Sequence, residues 1–152
     1  MAETKATACA VTWLAEAKAD IRRALAAWDR GDLAPVPVGR AWDVVRMPQR
    51  LGWRAVHRLR ADGALLGPVL HTVTHVEALV PPDTAESWYA PQSTALGRGD
   101  CIAAPDPAVV APLTVRTRSW IVAPTAPLVL TDPADLLTAY LGAHEAMKGV
   151  LT

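Results

Sequence analysis

At 152 residues, with 51% hydrophobic and 20% charged residues, the chain has the size of one domain and can bury roughly 70% of the surface its unfolded form exposes. Such a composition excludes a disordered polymer, and a core of that extent needs no metal or disulfide to hold it. Fifteen basic residues cancel fifteen acidic ones, so the whole molecule has no field that would steer a polyanion.

In chain order, Met1-Ala2-Glu3-Thr4-Lys5 lacks the basic region and apolar core of a signal peptide. No apolar run approaches the roughly 20 residues that span a bilayer, so a cytoplasmic location without membrane contact is expected. Trp13, Ala17, Ile21, Ala24, Leu25 and Trp28 fall on one face at helical spacing, which predicts one long helix over residues 1–30. Gly31 ends it, and the proline-rich stretch to Gly39 reads as a linker. The run from Ala41 to Met47 is a predicted strand stopped by Pro48. A second helix follows from Pro48 to Arg60, with Leu51, Ala55, Val56 and Leu59 as its buried stripe. Val69–Thr72 and Thr74–Val80 read as two strands of a hairpin or as one kinked strand. A helical turn after Pro81-Pro82-Asp83 runs through Trp88, and strands are predicted at Ser93–Leu96, Cys101–Ala104 and Ser119–Val122. Asp132, followed by Pro133, opens a last helix over 132–148. This order predicts a single α+β domain over 1–152, with a mainly antiparallel sheet, helices packed on one face and long helices at both termini.

Charge is distributed unevenly. Residues 40–60 hold six arginines against one acid, while residues 61–152 hold four basic residues against nine acidic. Arg46, Arg50, Arg54 and Arg58 recur every four residues, and the last three share a helix face with His57 on its flank. Guanidinium forks suit phosphate oxygens, so this face either grips a nucleic-acid backbone or phosphorylated ligand, or is simply a solvated face. His71, His75 and Glu77 would lie on one side of an unbroken strand as candidate ligands for a divalent metal, although the spacing is no recognised zinc signature and ordinary polar residues on an open strand face would look the same. Asp43 stands alone in an apolar strand, with Val45 where a second carboxylate would be needed to hold paired cations. Cys9 and Cys101 are isolated and read as free thiols. Twelve arginines against three lysines, with no phenylalanine, point to a GC-rich bacterial genome.

Four stretches together resemble the bifunctional DNA primase/polymerase N-terminal (prim-pol) family. They are Trp42-Asp43-Val44-Val45-Arg46-Met47-Pro48, Leu66-Gly67-Pro68-Val69, Thr74-His75-Val76-Glu77-Ala78-Leu79-Val80, and the stretch from Leu96 to Pro105 with Arg118-Ser119-Trp120-Ile121-Val122-Ala123-Pro124. They span residues 40–124. The resemblance implies a prim-pol/RRM-like core, with Asp43 and His75 at the positions of catalytic residues and Mg²⁺ or Mn²⁺ as cofactor if the chain is catalytic. Val45 replaces the second acid, and no acid precedes Arg98 where a third is expected, so the chain resembles a shortened, degenerate member. The expected function is then a non-catalytic domain without a cofactor, possessing an arginine-rich helix face for nucleic acid or a nucleotide. A protein-interaction or assembly module, using exposed members of the six tryptophans, is the alternative, and a surviving nucleotidyltransferase ranks third.

Overall fold

The computed structural model describes residues 5–151. The apolar periodicity around Trp13 does form helix, but in two pieces: α1 is Lys5–Glu16 and α2 is Ile21–Asp29. The single helix expected over 1–30 is therefore corrected, and its residues 1–4 lie outside the described residues. The break has a local cause. Lys18 adopts a left-handed backbone (φ 63), and Asp20 caps the new helix by accepting the Arg23 N–H at 3.1 Å, which satisfies an otherwise orphan donor. Trp13, Ala17, Ala24 and Trp28 still reach one core, so the pattern reads straight through the corner.

The stretch expected as a linker contains a strand, β1 (Ala34–Pro37), paired antiparallel with β6 (Cys101–Ala104). Prolines are tolerated there because this is a two-stranded edge arrangement. The main sheet is built from β2 (Asp43–Pro48), β3 (Val69–His71), β4 (His75–Val80), β5 (Thr94–Leu96) and β7 (Ser119–Val122), in the order β5-β2-β4-β3-β7. Every neighbouring pair is antiparallel. The chain reverses at residues 72–74, so β3 and β4 are a hairpin rather than one kinked strand.

Helix α3 (Gln49–Ala61) connects β2 to β3. Those two strands run parallel with β4 inserted between them, a split β-α-β unit. β4 and β5 likewise flank β2, which completes the strand order of an RRM-like four-stranded core. The second crossover carries only a three-residue 3-10 turn, Thr84–Glu86. Beside α3, the last helix α4 (Pro133–Leu151) covers the ground that a crossover helix would otherwise take. Its start is fixed by Asp132, whose carboxylate accepts the Asp135 N–H at 3.0 Å.

Alternation along the strands sends side chains to two separate cores. Val45, Met47, Val69, Val76, Ala78 and Val80 pack under α3 and α4, against Leu51, Ala55, Val56, Leu59, Leu136 and Tyr140. Gly52 lets α3 sit close to the sheet, because a Cβ there would stand 2.5 Å from Val76 Cβ. Val44, Leu70, Leu79 and Trp120 face the other way, into a cluster completed by α1, α2 and the β1–β6 pair. The expectation of helices on one face thus holds for α3 and α4, while α1 and α2 close the opposite face. Four indoles, those of Trp13, Trp28, Trp42 and Trp120, help fill that second core. Trp13 stacks on Trp42 at 5.6 Å and meets Trp120 edge-on at 5.5 Å.

Candidate nucleic-acid interface

RRM-like domains use the sheet face opposite their helices as a platform for unstacked bases. In this chain that face is closed. Trp42, Val44, Leu70, Leu79 and Trp120 are all fully buried beneath α1 and its neighbours, so any nucleic acid has to meet a different surface.

The residues expected as catalytic remnants do not converge. Asp43 pairs across the ladder with Val80, whereas His75 pairs with Pro48 at the far end of the same strand, which separates them by about 16 Å at strand rise. They also alternate to opposite faces: Asp43 shares the side of Val45 and Met47, and His75 that of Leu79. Asp43 is buried, and its Oδ2 accepts the Ala85 N–H at 2.9 Å. Its carboxylate therefore anchors the 3-10 turn after β4. A small cleft of about 310 Å³ opens beside it, lined by Gly39, Asp83, Glu86, Gly97 and Arg98. Asp83 and Glu86 were not apparent as site residues because they reach Asp43 only through the sheet pairing.

The proposed metal face is divided by the hairpin. His71 turns toward α3, where its Nε2 lies 2.7 Å from the Gln49 amide nitrogen and its ring meets Trp53 at 5.4 Å. Glu77 lies on the opposite face, buried between Arg46 at 2.8 Å and Arg118 at 3.3 Å. His75 stays near its own turn, with Nδ1 2.7 Å from Thr74 Oγ1. The expectation that His71, His75 and Glu77 share one side is corrected, because the reversal at 72–74 resets the alternation. Among the described residues no group of three His, Cys, Asp or Glu side chains is placed to hold a metal ion.

The arginine series also divides. Arg46 is committed to Glu77 on the face away from α3. Arg50, Arg54 and Arg58 remain exposed on α3, and among the described residues none of them has an ion-pair partner. The α3 sequence, QRLGWRAVHRLRA, contains no acid, so nothing on the helix itself offsets this charge. Arg58 is supported at one side by α4, where a Cβ on Gly142 would stand 2.6 Å from its Nη1.

Two rows run along this surface at helical i,i+4 spacing. One is Arg50, Arg54 and Arg58; the other is Gln49, Trp53 and His57. Trp53 is 39% exposed, whereas the other five tryptophans, at 0–8%, belong to the two cores. The exposed-tryptophan cluster that an assembly module would need is therefore absent among the described residues. Trp53 lines two shallow clefts, one of about 530 Å³ with Gln49, Arg50 and Arg54, the other of about 570 Å³ with Arg54, His57 and Arg58. Trp53 carries a sequence signal that is easy to pass over: it lies off the Leu51/Ala55/Val56/Leu59 stripe and directly beside the arginine row.

Burial holds the His71 imidazole below the usual histidine range. No helix among the described residues is long and apolar enough to cross a membrane. The chain matches no known family model, no characterised protein and no solved structure.

Proposed function

We propose that this domain is a non-catalytic binding module that holds a nucleic-acid backbone on the outer face of α3. The observation that carries this reading is the row of three exposed guanidiniums, Arg50, Arg54 and Arg58, without an ion-pair partner among the described residues, on a helix without acids. A row at about 6 Å per four residues extends over about 12 Å, enough for successive phosphates along one strand. Each arginine offers a planar donor fork that matches phosphate oxygens. The prim-pol resemblance supports the same class of ligand. Under this reading Asp43 keeps a structural duty at the 3-10 turn, and metal-dependent nucleotidyl transfer is not expected.

Fluorescence anisotropy with labelled oligonucleotides across a salt series tests the proposal. Three phosphate contacts give a slope of about −2 to −3 in log K against log salt. Arg50→Ala combined with Arg54→Ala should flatten that slope by about 2 and weaken binding to every sequence alike. Absence of binding at low salt by the folded protein ends the reading.

A further inference from the structure

Resting on the backbone-binding reading above, we infer that Trp53 is a base-stacking subsite, and that the face of α3 selects single strands with unpaired bases. Charge alone does not separate single strands from duplexes. The second row does.

Trp53 is the one exposed tryptophan among the described residues, and it stands in the row adjacent to the arginines rather than at a distance from them. A strand whose phosphates follow Arg50, Arg54 and Arg58 carries its bases to one side of that line. On the Gln49/Trp53/His57 side they meet an indole that lines two shallow clefts. Both clefts share Trp53 and Arg54 as walls, so a base entering either one can reach the indole. A positive groove combined with an aromatic platform is the physical recipe for single-strand binding, because every base has a π-face to stack.

The ring is also held in place. His71 reaches it from β3 at 5.4 Å with the planes tilted by 55°, and the Gln49 contact holds His71 in turn. A tilted contact of this kind buttresses the indole and leaves stacking surface free, consistent with its exposure. Little ordering entropy then remains to be lost when a base arrives. In a duplex the bases are stacked inside and paired, so the indole would meet only sugar and phosphate.

The test compares four ligands by anisotropy at low salt: a base-bearing single strand, an abasic strand of equal length and charge, a blunt duplex and a mononucleotide. The base-bearing strand should bind about tenfold or more tighter than the abasic strand, which is what one stacked base contributes. Trp53→Ala should remove that difference while leaving the abasic strand unaffected, and Trp53→Phe should keep most of it. Indole fluorescence should be quenched by the base-bearing strand, and the quenching should be lost in Trp53→Phe.

Equal affinity for base-bearing and abasic strands, with salt dependence intact, overturns the stacking site and leaves the backbone reading standing. Equal loss for both strands in a folded Trp53→Ala protein overturns it too, because the indole is then only packing. A duplex bound as tightly as the single strand, or a mononucleotide bound as tightly as the strand, removes the single-strand selectivity. No binding of even the abasic strand removes both readings together.

Discussion

The two faces of the main sheet are covered by elements of opposite character. On one side α1, α2 and the β1–β6 pair seal four indoles against Val44, Leu70 and Leu79. Most polar groups in that region serve the fold: Glu77 is enclosed by Arg46 and Arg118, and the Trp28 and Trp120 N–H groups donate to the carbonyls of Ala104 and Pro105, while the buried N–H groups of Trp13 and Trp42 have no hydrogen-bond partner among the described residues. On the other side α3 buries an apolar stripe and leaves Arg50, Arg54 and Arg58 exposed, with no ion-pair partner among the described residues. The difference separates residues that hold the protein together from residues free to hold something else, even where both are arginines four positions apart.

Substitutions break or sharpen this contrast. The largest effect is expected from Trp120→Ala, which should cost about 3–5 kcal/mol in chemical denaturation through the cavity it leaves among the other indoles. A loss under about 1 kcal/mol would show that the indole cluster is not the centre of that core. Arg118→Ala should cost about 2 kcal/mol, because it takes one of two partners from a buried carboxylate. Its partial exposure sets the figure below that of a fully buried pair. Gly142→Ala should instead raise stability by up to about 1 kcal/mol. The new methyl group meets only the far end of the flexible Arg58 side chain, which can move aside. Gly52→Ala, against Val76 and the sheet, should destabilise.

The smallest effects belong to the α3 surface. Arg50→Ala and Arg54→Ala should each leave the denaturation midpoint within about 0.5 kcal/mol of the parent, while nucleic-acid affinity falls. If both properties fall together, the arginines belong to the fold after all. His71 adds a pH dependence. Its folded pKa lies below the usual 6.5 because burial penalises the charged ring. The unfolded chain therefore binds the proton more readily, so this contribution to stability is complete above 6.5 and is lost as pH falls through the folded value. Urea midpoints at neutral and mildly acidic pH should show a small decline that His71→Gln lacks.

Much of this architecture was legible in the sequence. β6 and β7 lie at their predicted residues, and α3 and α4 begin within a residue of theirs, since proline and aspartate mark those boundaries chemically. β1 was not legible, because its hydrogen bonds depend on β6, far along the chain, and Ala34-Pro35-Val36-Pro37 has little strand propensity of its own. The corner at Lys18 was hidden by apolar spacing that two helices at an angle satisfy as well as one. For the site, the exposed arginines of α3 follow from the position of its apolar stripe. The separation of Asp43 from His75 does not, because it depends on strand register: with β4 antiparallel to β2, residues that match a motif in order end up at opposite ends of the sheet. Arg46 left the arginine row for the same kind of reason, since its partner comes from β4.

Helix α4 also has a consequence for how the molecule is made. Leu136, Ala139, Tyr140 and Ala143 complete the core shared by α3 and the sheet, yet they follow every strand among the described residues. At translation rates of about 5–20 residues per second, the interval between Val122 and Ala143 lasts about one to four seconds. Throughout it, the emerging chain has its strands but only half the cover for Val45, Val69, Ala78 and Val80. In that interval the nascent chain is open to association with its neighbours or to capture by a chaperone, and the interval closes when α4 leaves the ribosome.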